Sequence, residues 1–278
     1  MAPSERLSRR SLLRWCALSG LAWNAGCTEL APGSDTLQAE PAPLGASGAG
    51  AALPGDPKWA CLGKPASPSA VALRPTVGFS LRLNDPATQS TPPGASVRAC
   101  NRFDLDCAAP VQGPAEPAAD GLIHLQLPQG FAGFLEIRSP AIISVLYFFS
   151  QPLQAERQDQ FIVVSFETAR ALATSGAVEL DPELGLVAVR TMDCQGELTG
   201  GVEFSNATGG VPFAFVDGLP AIGYVVSNRE GIGGFVNVPP GLVVLQGQEV
   251  SSAQLTGTAS VVVRKGWFAY GDLNPAPQ

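Results

Sequence analysis

The chain has 278 residues, 45% of them hydrophobic and only 15% charged, with 31 glycines, 25 prolines and a net charge of −7. That balance suits a turn-rich globular protein of one or two domains with enough apolar sequence to bury a core. An acidic surface repels phosphate, which argues against nucleic acid as a partner.

Residues 8–27, SRRSLLRWCALSGLAWNAGC, place Arg9, Arg10 and Arg14 before an apolar stretch that ends in small residues and a cysteine. This is the order of an export signal, expected over residues 1–26, and its apolar part (15–26) is shorter than a bilayer crossing requires. Residues 8–13 resemble a bacterial twin-arginine motif with Leu12 where Phe is commoner; a basic start also serves the general secretory route, so both routes stay open. The ending NAGC resembles a lipobox, with Asn24 where Leu is usual. That resemblance makes Cys27 the lipidation site, with plain cleavage near Ala25 as the alternative. Thr28 in place of Asp after the cysteine implies a lipid anchor in the outer membrane or at the cell surface. Cleavage removes Glu5 and four arginines, so the mature chain is more acidic still. We read this acidity as a source of solubility and self-repulsion.

After Cys27 the chain to about residue 57 is rich in Ala, Pro, Gly and Ser, with too few large apolar side chains to fold, and is expected as a disordered tether. The first β-sandwich is expected over 58–153, with strands at TVGFSLRL, ASVRAC, LIHLQL, GFLEIR and IISVLYFF, the last being a buried central strand. A helical connector follows over 154–184. In SFETARALATSG, Ser165 is a good N-cap, Phe166, Ala169 and Ala173 share a face, and Gly176 ends the helix. A second sandwich is expected over 185–278, with strands at LGLVAVRT, GGVEF, AIGYVVS, GFVNV, LVVLQ, ASVVVR and WFAY.

The two halves echo each other. DGLIHLQLPQG (120–130) and EGIGGFVNVPPG (230–241) both run from an acidic residue and glycine, through a short apolar strand, to a proline and glycine corner, which marks an internal repeat. GGVEF followed by SNREGIGGFVNVPPGLVVLQ is similar to the carboxypeptidase regulatory-like domain, a transthyretin-like seven-stranded sandwich. Ser227, Asn228, Gly231, Phe235, Pro239 and Gly241 carry the match, with Ser and Asn replacing the usual Thr and Asp of the turn. GFAGFLEI in the first half also resembles a motif of bacterial lipoproteins of this kind. The resemblance implies an all-β fold of two tandem transthyretin-like sandwiches. It also implies an accessory module without catalytic residues, which binds, spaces or supports.

Cys16 lies within the signal, which leaves Cys61, Cys100, Cys107 and Cys194 in the exported part, and four cysteines allow three pairings. The short loop between Cys100 and Cys107 favours their mutual pairing, and Cys61 with Cys194 follows by elimination. Closely spaced metal ligands such as C-x-x-C are missing, so no metal or other cofactor is expected. His124, the one histidine, sits in an alternating strand and reads as a sheet-face residue; catalysis would require it to meet an exposed nucleophile, and no GxSxG turn supplies one. Asp104, Asp106 and Asp120 are weighed as calcium ligands and preferred as solvated turn formers, because no EF-type spacing is present. The reading is therefore a non-catalytic, lipid-anchored envelope module with a glycan or protein ligand. Its alternative is a carboxylate hydrolase acting on glycans in a groove between the halves, with acids drawn from Glu136, Glu203 or Asp217.

Overall fold

The computed structural model describes residues 56–62, 64, 75–85, 88–216 and 219–275. The expected signal, Cys27 and nearly all of the tether lie outside the described residues, as does Asp217.

A 3-10 turn at Pro57–Trp59 opens the described chain. The first half then contributes β1 (Thr76–Asn84), β2 (Ser96–Cys100), β3 (Gln112–Ala115), β4 (Ile123–Pro128), β5 (Phe134–Arg138), β6 (Val145–Phe148) and β7 (Arg157–Ile162). The helix α1 (Phe166–Ser175) leads into β8 (Gly185–Thr191), β9 (Val202–Asn206), β10 (Val211–Val216), β11 (Leu219–Ile222), β12 (Ile232–Val238), β13 (Gly241–Glu249), β14 (Leu255–Val263) and β15 (Phe268–Leu273). Over the described residues the fold is an all-β sandwich with one short α-helix.

The strands form a sheet in the order β4-β1-β7, a second in the order β14-β13-β9, and between them a nine-stranded sheet in the order β11-β10-β12-β8-β15-β6-β5-β2-β3. The two halves share one wiring. In the first, β1 has β4 antiparallel on one side and β7 parallel on the other; in the second, β8 has β12 antiparallel and β15 parallel. The meander β2-β5-β6 likewise matches β9-β13-β14. The repeated sequences at 120–130 and 230–241 thus occupy equivalent strands, β4 and β12.

The halves are joined edge to edge, because β15 also pairs parallel with β6, Ala269 facing Leu146. Side chains alternate along each strand, so the central sheet feeds two cores. On one face Leu135, Ile137 and Tyr147 pack with Phe79, Leu81 and Leu125; on the other Phe134, Leu146, Val187 and Val189 pack with Phe204, Leu245 and Val261. Hence β6 and β8 are buried on both faces, while β4 and β13 alternate cleanly between core and water.

α1 forms as its caps dictate: Ser165 Oγ accepts from Thr168 N at 3.1 Å, and Ala169 and Ala173 pack on Leu186, Phe213 and Val236. The segment expected as a connector, however, begins with β7, which completes the first sandwich. Its sequence RQDQFI buries only Phe161, and this polar outer face hid the strand. β3 and β10 lie outside the expected strands, and the apolar run 141–149 narrows to β6. Disulfides join Cys61 to Cys194 and Cys100 to Cys107, with Cα atoms 5.7 and 5.2 Å apart.

In the stretch 230–241, Gly231 adopts φ +63°, and an added Cβ would lie 2.6 Å from Thr199 N and 2.9 Å from Thr191 O. A bulge interrupts β12 between Phe235 and Val238. It turns Asn237 (φ 56°) outward, where its Oδ1 accepts from Asp181 N at 2.9 Å and its Nδ2 donates to Glu179 O at 2.7 Å. We expect Gly231→Val to lower stability by at least about 1 to 3 kcal/mol, from backbone strain before any clash is counted. Asn237→Ala should cost less, about 1 to 2 kcal/mol for two hydrogen bonds at the protein surface. Urea melts of both variants check the order.

Candidate functional site

The outer face of β4-β1-β7 is polar and open. In register, Ser80 on β1 faces His124 on β4 and Gln158 on β7, and Gly78 faces Gln126. Gly78 adds no side chain, so its place is a gap in this polar grid: a Cβ there would still lie 3.7 Å from Gln126 Nε2 and from Glu156 Cγ. The result is a shallow groove lined by Gly78, Ser80, Gln126, Glu156, Arg157 and Gln158.

Beside the groove, Ser80 Oγ lies 2.9 Å from His124 Nδ1, and His124 Nε2 lies 3.0 Å from Asp120 Oδ2. Leu122 N–H donates to Asp120 Oδ1 at 2.9 Å, which fixes the carboxylate. That bond first, and His124 second, hold Asp120 below its ordinary value. A neutral imidazole satisfies both neighbours when Nε2–H donates to Asp120 and the Nδ1 lone pair accepts from the Ser80 hydroxyl. The group beside His124 is thus a half-exposed serine hydroxyl from 44 positions away. The β1/β4 register that unites them was not legible locally. A backbone oxyanion hole is a different matter, because β1 is the middle strand of its sheet and commits its N–H groups to β4 and β7.

Of the carboxylates weighed for hydrolysis, the two among the described residues, Glu136 and Glu203, do not come together. Glu136 on β5 has a fully buried side chain, bonded by Arg98 Nε at 3.0 Å, Arg138 Nε at 2.8 Å and Arg264 Nη1 at 2.7 Å. Burial alone would push its carboxyl up, but hydrogen bonds from Arg138, Arg264 and Arg98 outweigh this and hold it below its ordinary value. The guanidiniums of Arg138 and Arg264 each lie 4.8 Å from the Trp267 ring. Glu136 is thus a structural counter-ion, whereas Glu203 lies in another sheet, exposed on β9. Asp104 caps its own loop, accepting from Ala108 N and Ala109 N at 3.0 and 2.8 Å. Among the described residues no three His, Cys, Asp or Glu side chains converge as a metal site.

A second buried network spans the seam between the halves. Asp272 on β15 takes both Nε and Nη2 of Arg190 on β8 at 2.7 and 2.8 Å, and accepts from the Tyr147 hydroxyl of β6 at 3.1 Å. Arg157 and Arg190 donate to that hydroxyl at 3.1 and 3.3 Å. Burial first, and the Asp272 charge second, raise the Tyr147 hydroxyl far above its ordinary value. Both oxygens of Asp272 and the Tyr147 hydroxyl are satisfied internally, so the network reads as a fastening.

No protein-family model and no curated protein match the chain. Solved structures do. The chain is similar to the Bacillus anthracis TIE protein (10% identity, 72% of this chain and 34% of that one, TM-score 0.24). It is also similar to a Streptococcal ancillary pilin (14%, 73% and 63%, TM-score 0.22) and to a shaft pilin from Lactobacillus rhamnosus GG (9%, 72% and 98%, TM-score 0.22). The chain spans about a third of the first protein and less than two thirds of the second. Superpositions this loose transfer neither a site nor a role.

Removing the Glu136 charge should leave three arginines facing one another. We expect Glu136→Gln to destabilise by about 3 to 5 kcal/mol. Because the folded carboxyl is held below its ordinary 4.5, its contribution is present above that pH and is lost as pH falls through the folded value. Chemical melts across the acid range should therefore show a lower plateau and a shallower acid limb for Glu136→Gln than for wild type.

Proposed function

We propose that the protein is an exported, lipid-anchored envelope module whose outer β4-β1-β7 face binds a polar glycan. The carrying observation is that face itself. Ser80, Arg82, His124, Gln126, Gln158 and Gln160 present hydroxyl, guanidinium, imidazole and amide groups at strand spacing, on a rigid sheet with a groove at Gly78. Amide side chains each offer donors and an acceptor, the chemistry that pairs with sugar hydroxyls.

Export is supported by the Arg9-Arg10 start and by two disulfides, which persist in oxidising compartments. Lipidation of Cys27 would place the body at the outer membrane or cell surface, held off by the residues that follow. The carboxypeptidase regulatory-like reading of the second half belongs to the same proposal. It is supported by the turn those residues build: Ser227 is buried, Asn228 Oδ1 accepts from Glu230 N at 3.0 Å, and Gly231 takes positive φ before β12.

Two measurements test this. Cys27→Ser should move the protein from the membrane to the soluble fraction, and continued membrane association after signal cleavage would defeat the anchor. On a glycan array, the double variant Gln126→Ala, Gln158→Ala should lose at least tenfold in affinity for whatever glycan wild type retains. Unchanged binding would move the ligand site off this face.

A further inference from the structure

We propose that Ser80 is an acylatable nucleophile, with His124 as its base and Asp120 as a positioning residue, and that the groove over Gly78 takes a short acyl ester of a polar alcohol. This rests on the reading that the β4-β1-β7 face binds a polar glycan and adds the chemistry done there. The hydrogen-bond chain runs Ser80 Oγ, His124 Nδ1, His124 Nε2, Asp120 Oδ2, with links of 2.9 and 3.0 Å. Its order of roles is that of a nucleophile, a base and an orienting carboxylate, with the two ring nitrogens exchanged relative to the usual arrangement. A second, independent feature is the groove. It opens beside Ser80 because Gly78 leaves the sheet bare between Gln126 and Glu156.

The step balances within these groups. Ser80 Oγ adds to the ester carbonyl carbon while its proton passes to His124 Nδ1; the carbon–oxygen bond to the alcohol then breaks and that proton goes to the departing oxygen. Water reverses the sequence, giving a proton to Nδ1, forming the carboxylic acid and returning the proton to Ser80. The developing oxyanion would be met by side-chain amides of Gln126 and Gln158, which line the groove on either side of β1. Side-chain donors are less preorganised than a backbone pair, which restricts the site to esters and keeps turnover slow. The groove lining is polar, so a long acyl chain would find no apolar partner, and a short one such as acetyl is the fit.

The test uses the purified full-length chain with p-nitrophenyl acetate and, separately, a fluorophosphonate, followed by intact mass and peptide mapping. Wild type should carry one acyl or phosphonyl adduct on Ser80 and release nitrophenol catalytically. Ser80→Ala should lose the adduct, and His124→Ala should slow turnover about a hundredfold or more. Gly78→Val fills the groove with space for its Cβ and should keep the melting temperature while abolishing turnover. Adducts only on other residues, or turnover undiminished in Ser80→Ala, would overturn the inference. An unlabelled Ser80 in a protein that still binds glycan through Gln126 and Gln158 would overturn it alone and leave the binding reading standing.

Discussion

The parallel pairing of β15 with both β8 and β6 is the constraint on which the architecture depends. Without it, β6 and β15 would each be an open sheet edge, with unpaired N–H and C=O groups inviting foreign strands. Joining them removes two edges at once and turns two sandwiches into three layers around one nine-stranded sheet. Asp272, Arg190 and Tyr147 lie across that seam, one from each strand. Burying these charges is tolerable because both Asp272 oxygens are taken by Arg190 and the Tyr147 hydroxyl donates to the same carboxylate, so the seam is specific as well as strong.

This fusion explains the positions of the remaining pieces. The nine-stranded sheet has its two faces covered by different partners, β4-β1-β7 for the first half and β14-β13-β9 for the second, with α1 filling the face beside the first. Each outer sheet therefore keeps one face in water. On β4-β1-β7 that wet face is dense in amide and hydroxyl groups, while β14-β13-β9 exposes Leu242, Val244 and Leu255 among polar residues. The face carrying Ser80 and His124 is available to a ligand because the core lies entirely behind it.

The arginines show the same division between structure and surface. In a chain with a net charge of −7, Arg98, Arg138, Arg264, Arg190 and Arg157 are all drawn into ion pairs with Glu136, Asp272 or Asp159. The two buried clusters do not lend those acids to chemistry. Glu136, weighed as a hydrolytic acid from the sequence alone, is surrounded by positive charge that stabilises its ionised form, the opposite of what a general acid requires.

Local sequence was sufficient for the features that depend on neighbours along the chain. The alternation in LIHLQL and LVVLQ, the Ser165 cap and Gly176 stop of α1, the turn at Asn228 to Gly231, and the short Cys100 to Cys107 loop all act over a few residues, and each is legible there. So is the duplication, since 120–130 and 230–241 repeat the same turn chemistry. Period-two alternation says which face a side chain takes but not which strand lies beside it. The partners of β1, the edge joined to β6 and the approach of Arg98 and Arg264 to Glu136 are therefore set by registers between residues 38 to 128 positions apart. Only tertiary packing decides among such pairings, because many would bury similar apolar area and few also satisfy the buried charges. That is why His124 read as a solitary sheet residue in the sequence and stands between Ser80 and Asp120 in the folded protein.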